Sequence, residues 1–91
     1  NNFLKLISKM NFTIYSREGC PYCEKVKEVM RLTKLEHVVY NLDSDFTRDD
    51  FYAEFGQGST FPQVVCDDTG EREKIGGCTE TVQFLKENKI V

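Results

Sequence analysis

The sequence predicts an α/β domain, a four-stranded mixed sheet flanked by three helices in the order β-α-β-α-β-β-α. Three observations carry that prediction. Aromatic and β-branched runs alternate with segments whose apolar residues recur at helical spacing. Pro, Gly and capping residues fall between these segments rather than inside them. Two short runs in the last third of the chain are separated only by turn-forming residues, which reads as a hairpin. At 91 residues the chain has material for one core.

The elements follow in order. Asn1 to Lys9 carries Phe3, Leu4 and Ile7 at helix-like spacing and is read as an N-terminal extension or cloning remnant without chemistry, leaving residues 10–91 as the domain. Phe12 to Tyr15 is aromatic and β-branched, a strand, and Ser16 to Gly19 is the loop that ends it. Pro21 suits the first turn of a helix, along which Tyr22, Val26, Val29, Met30 and Thr33 recur with Lys and Glu between them. Glu36 to Leu42 is the second strand. Thr47 with Asp50 three residues on predicts a capping box for a helix through Phe55, ended by Gly56 and Gly58. Gln63 to Cys66 is the third strand, reached through Pro62; Asp67 to Gly70 is a turn and Arg72 to Ile75 the fourth strand. Gly76 and Gly77 break the chain before a last helix from Thr79 to about Lys89, with Val82, Phe84 and Leu85 on or beside its buried face.

Twelve Lys and Arg against fifteen Asp and Glu leave a net charge of −3. No basic field is therefore present to neutralise phosphates, which excludes nucleic acid and anionic membranes as partners. No apolar stretch approaches the ~18 residues needed to span a bilayer, and the given sequence does not open on a charged-then-apolar segment with a small-residue cleavage site. A soluble, cytoplasmic monomer is expected.

Four cysteines are present, and in a reducing compartment their spacing matters more than their even number. Cys20 and Cys23 form a Cys-x-x-Cys pair, whereas Cys66 and Cys78 stand alone. Such a pair means redox chemistry or half a metal site. A zinc site would need a second ligand pair, and Cys66 and Cys78, with eleven residues between them, lack the usual short spacing. Cys20 opens a helix, where unpaired N–H groups and the macrodipole favour a thiolate, and Arg17 adds a cation. Cys20 is thus the candidate nucleophile. Cys23, one helical turn deeper, is the more shielded resolving thiol. Cys66 alternates within a strand as a small buried hydrophobe, His37 reads as a strand histidine rather than a base, and Asp43, Asp45, Asp49 and Asp50 form a solvated acidic face.

Cys20-Pro21-Tyr22-Cys23, Thr60-Phe61-Pro62 and Gly76-Gly77-Cys78-Thr79-Glu80, in that order, resemble the dithiol glutaredoxins, a branch of the thioredoxin superfamily, over essentially residues 10–91. The resemblance implies a thioredoxin-like fold and a glutathione-dependent thiol–disulfide oxidoreductase, with glutathione as cosubstrate and no tightly bound cofactor or metal. It implies a cis bond before Pro62, which turns the Phe61 backbone outward to pair with the main chain of a bound glutathione or substrate. Tyr22 and Thr60 are implied at the same surface. Gly77, Cys78, Thr79 and Glu80 place a helix N-terminus there as an anion receptor. Thr79 would take the γ-glutamyl α-carboxylate and Glu80 would face its ammonium, although the family more often has Asp at that position. Arg17 matches the family's Lys or Arg and is implied at the glycine carboxylate.

Two departures stand out. Ser59 occupies a place where some relatives have a basic residue, with Arg48 on the second helix as the substitute cation. Cys78 replaces the aromatic residue that many relatives carry after Gly-Gly. The implied partners are glutathione and disulfide-bearing or glutathionylated proteins, with ribonucleotide reductase typical of the family. Members that hold an iron–sulfur cluster usually lack the active-site proline, so Pro21 argues against a cluster. Two competing readings are a thioredoxin-reductase-driven redoxin without a glutathione site, and a metal- or cluster-binding module; the Gly-Gly-Cys-Thr-Glu segment and Arg17 argue against the first.

Overall fold

The structure, a computed structural model, describes residues 10–68 and 70–90. The proposed extension over residues 1–9 lies outside them. The elements are β1 (Met10–Ser16), α1 (Pro21–Thr33), β2 (Glu36–Asn41), α2 (Arg48–Phe55), β3 (Gln63–Asp68), β4 (Glu71–Gly76) and α3 (Cys78–Glu87), the expected order. The sheet runs β2-β1-β3-β4. β1 and β2 pair in parallel across the α1 crossover, whereas β1–β3 and β3–β4 are antiparallel, so the sheet is mixed.

Alternation along β1 explains the layering. Phe12, Ile14 and Ser16 are buried on one face, and there Phe12 and Ile14 meet Val64 and Cys66 of β3, Val26 and Met30 of α1 and Leu85 of α3. Tyr15 points the other way, its ring 5.0 Å from Phe55 of α2 and 5.3 Å from Phe46. α2 therefore covers the opposite face. β4 holds it there: Arg72 pairs with Glu54, and Lys74 donates to the Glu54 carbonyl while sitting 5.6 Å over the Phe55 ring.

The local signal at Thr47 behaves as read, and the end of α1 adds a cap that the sequence reading did not name. The Thr47–Asp50 capping box is complete, each side chain accepting the other's backbone N–H. α1 ends at Lys34, whose φ of 57° lets Leu35 N–H reach back to the Met30 carbonyl and turn its side chain into the core. Several boundaries need correction. Ser16 closes β1 rather than opening the loop, its carbonyl accepting Leu42 N–H at 2.9 Å, and Leu42 falls outside β2. Asp67 and Asp68 are strand residues paired with Arg72 and Glu71; the hairpin is tighter than the turn-rich composition suggests, with Gly70 at a φ of 89°. β4 runs on through Gly76, and α3 starts at Cys78 and stops at Glu87. Tyr22, placed on the apolar stripe by spacing, is 62% exposed; the buried stripe of α1 begins at Cys23 and continues through Val26 and Met30. Among the described residues, no helix is long and apolar enough to cross a membrane.

Candidate functional site

The site begins where β1 stops. Cys20 is the N-cap of α1, in an extended conformation, with Pro21 at the first helical position, where its missing N–H costs nothing. Capping is normally done by an oxygen that accepts an orphan N–H. Here the sulfur of Cys20 does it, accepting Cys23 N–H at 3.1 Å. Cys20 and Cys23 form a disulfide with their Cα atoms 5.2 Å apart. Both are buried, Cys20 keeping 3% of its surface and Cys23 none.

A hollow of about 160 Å³ lies alongside, lined by Tyr22, Thr60, Phe61, Pro62, Gly77, Cys78, Thr79 and Glu80. The structure thus brings together residues from three separate stretches of chain, and the Phe61–Pro62 bond is cis. Larger hollows exist, of about 390 Å³ between β4 and α3 and about 470 Å³ behind the Cys20 loop, but the smallest of the three holds the sequence motifs. At its rim Glu80 accepts Gly77 N–H at 2.7 Å, which anchors the start of α3. The Glu80 side chain packs closely on the approach to the helix: a Cβ on Gly76, whose φ is 123°, would come to 3.0 Å from it.

Arg17 does not line this hollow. It borders the 470 Å³ one with Glu18, Glu24 and Lys27, and its guanidinium carbon sits 6.0 Å over the Phe61 ring. Arg48 opens α2 on an exposed surface and lines neither hollow. His37 donates its Nδ1–H to the Leu35 carbonyl at 2.8 Å, a strand histidine as read. Asp45 and Asp50 of the acidic run accept backbone N–H groups of Asn41 and Thr47. Among the described residues, no three His, Cys, Asp or Glu side chains are grouped to hold a metal ion.

The other two thiols are free and differently placed. Burial, reinforced by Asp68, Glu73 and Asp67, pushes the Cys66 thiol up to about 11 from 9.0. Burial also raises Cys78, with Lys25 opposing and Glu80 adding to the rise. Neither surrounding favours a thiolate. The sequence reading missed Phe51, whose ring stacks on Phe61 at 4.1 Å and 9° from parallel. The available signal was the density of aromatic residues between positions 46 and 61.

Comparison with known proteins gives the family. The glutaredoxin family model matches residues 12–70. Glutaredoxin 1 of Salmonella typhimurium is 33% identical over 82 residues, covering 82% of this chain and 90% of the relative. The crystal structure of glutaredoxin 1 from Francisella tularensis complexed with cacodylate superposes with a TM-score of 0.64 at 36% identity, covering 88% of this chain and 92% of that one. Reduced Escherichia coli glutaredoxin shares the fold at a TM-score of 0.71 and 24% identity, covering 89% of this chain and 99% of that one.

Proposed function

The chain belongs to the glutaredoxin family and is a thiol–disulfide oxidoreductase, and from that premise we propose that glutathione is its reductant and its preferred group to transfer. One observation carries the reading. Thr60-Phe61-Pro62 and Gly77-Cys78-Thr79-Glu80, two stretches that the family resemblance assigns to glutathione, line one hollow, and Tyr22, two residues from Cys20, is part of its wall; Arg17 stands outside it.

The proposed cycle uses the chain's own atoms. The Cys20 thiolate attacks the glutathione sulfur of a mixed disulfide; the S–S bond to the substrate protein breaks, that protein leaves as a thiolate, and Cys20 carries the glutathionyl group. A second glutathione thiolate attacks the glutathionyl sulfur, forming glutathione disulfide and restoring Cys20. With a protein disulfide, Cys20 instead forms a mixed disulfide with the protein. Cys23 then attacks Cys20 Sγ, releasing the reduced protein and leaving the Cys20–Cys23 disulfide, which two glutathiones reduce. The Cys23 N–H on Cys20 Sγ supports negative charge on the sulfur that must carry it. The start of α3 suits the γ-glutamyl carboxylate, with Thr79 N–H and hydroxyl as donors. Phe61 offers main-chain groups and Arg17 a cation for the glycine carboxylate. The proposed setting is the cytoplasm, where thiols such as Cys66 and Cys78 stay reduced.

The test is turnover of a small glutathione mixed disulfide with glutathione and glutathione reductase. Saturable, glutathione-dependent turnover is expected. Reduction driven by thioredoxin reductase but not by glutathione would overturn the proposal.

A further inference from the structure

The Phe61 side chain has surroundings that its proposed main-chain role does not require. Phe51, 1% exposed, stacks on it at 4.1 Å, and Phe46 lies 6.2 Å away at 23°. The guanidinium of Arg17 stands 6.0 Å over the same ring. Arg17 is a cation without a carboxylate partner among the described residues; its hydrogen bond is to the Glu18 carbonyl at 3.3 Å. Arg72 shows the contrast, being spent on Glu54. An unpaired arginine keeps its charge for an anionic ligand, but its long side chain must be ordered when it binds one. A ring face beneath the guanidinium reduces that ordering cost by restricting it in advance.

We infer that Phe61 and, through it, Phe51 are positioning residues that hold the Arg17 guanidinium ready for a substrate carboxylate. The inference rests on the proposed use of glutathione and deepens it. α2 thereby acts on substrate affinity: its Phe51 braces the shelf on which Arg17 rests, while the helix itself is fastened to the sheet by Arg72 and Lys74.

The experiment is a double-mutant cycle on KM and kcat for a glutathionylated peptide, with glutathione and glutathione reductase, using wild type, Arg17→Ala, Phe61→Leu and the double variant. Phe51→Leu is measured in parallel, and thermal midpoints are recorded for all. Leucine keeps apolar volume and the main chain while removing the ring. Phe61→Leu is expected to raise KM about two- to five-fold, the worth of a cation over an exposed ring, but only when Arg17 is present. Phe51→Leu is expected to shift KM in the same direction by a smaller factor. An equal effect of Phe61→Leu with and without Arg17 would overturn the inference, because a ring acting only through packing is blind to the cation. So would a lowered thermal midpoint in both ring variants with KM unmoved. If wild type shows no glutathione-dependent turnover, the functional reading fails and the inference with it. If Phe51→Leu does not fold, the cycle at positions 17 and 61 decides alone.

Discussion

Cys20 and Cys66 are equally buried, at 3% and 2% exposure, yet their surroundings have opposite sign. Cys20 sits where a helix begins, its sulfur accepting the Cys23 N–H. Cys66 sits inside β3, where burial and the carboxylates of Asp68, Glu73 and Asp67 push it up to about 11. Burial alone therefore does not decide which thiol reacts. An oriented backbone N–H meets one sulfur, and at the other burial and negative charge remain.

The largest expected effect comes from removing the favoured thiol. Cys20→Ser should abolish disulfide reduction, since a hydroxyl stays un-ionised where a thiolate is stabilised, whereas Cys66→Ala should leave turnover of a small mixed disulfide in place. Residual turnover in Cys20→Ser above the uncatalysed rate would transfer the role to another cysteine. Next comes the partner thiol. Cys23→Ser should keep turnover of a glutathione mixed disulfide, because external glutathione resolves that intermediate, while reduction of a protein dithiol substrate falls sharply with the loss of an intramolecular attack. Collapse of both rates together would give Cys23 a structural role instead.

The same comparison has a stability side. The folded Cys66 thiol holds its proton more tightly than the unfolded one, so its contribution is complete below pH 9 and is lost as pH rises through about 11. Between those limits the reduced wild type should lose roughly 2–3 kcal/mol more unfolding free energy than Cys66→Ala does. Equal losses, measured by denaturant titration at both pH values, would show that burial and the carboxylates around Cys66 do not hold its proton as described. A smaller effect is expected at the ligand end. Arg17→Ala and Thr79→Ala should each weaken use of glutathione about ten-fold by loss of a charge-assisted contact, read as KM for glutathione. No change in either variant would remove both from the binding surface.

What was legible in the sequence was local. Pro21 and the Cys20 cap, the Thr47–Asp50 box and the Gly76-Gly77 approach to α3 are decided by residues a few positions apart, and each was placed within a residue or two. The hollow was legible only because the motifs resemble a family; nothing in spacing alone brings Thr60 to Thr79. Less legible were features set by tertiary contact. Asp67 and Asp68 carry turn chemistry, yet pairing with Arg72 and Glu71 keeps them in the ladder. Ser16 looks like a loop residue, but the register with Asn41 carries β1 one residue further and buries it. The stacking of Phe51 on Phe61 and the pairing of Arg72 with Glu54 join separate elements, and no periodicity announces either.

The most direct test of the central claim, that placement at the start of α1 rather than exposure selects the reactive thiol, is timed alkylation of the fully reduced protein at mildly acidic pH, with each cysteine followed by peptide mass mapping. Cys20 should be modified first and Cys66 last, despite their nearly equal burial. Labelling of Cys66 or Cys78 ahead of Cys20 would contradict it.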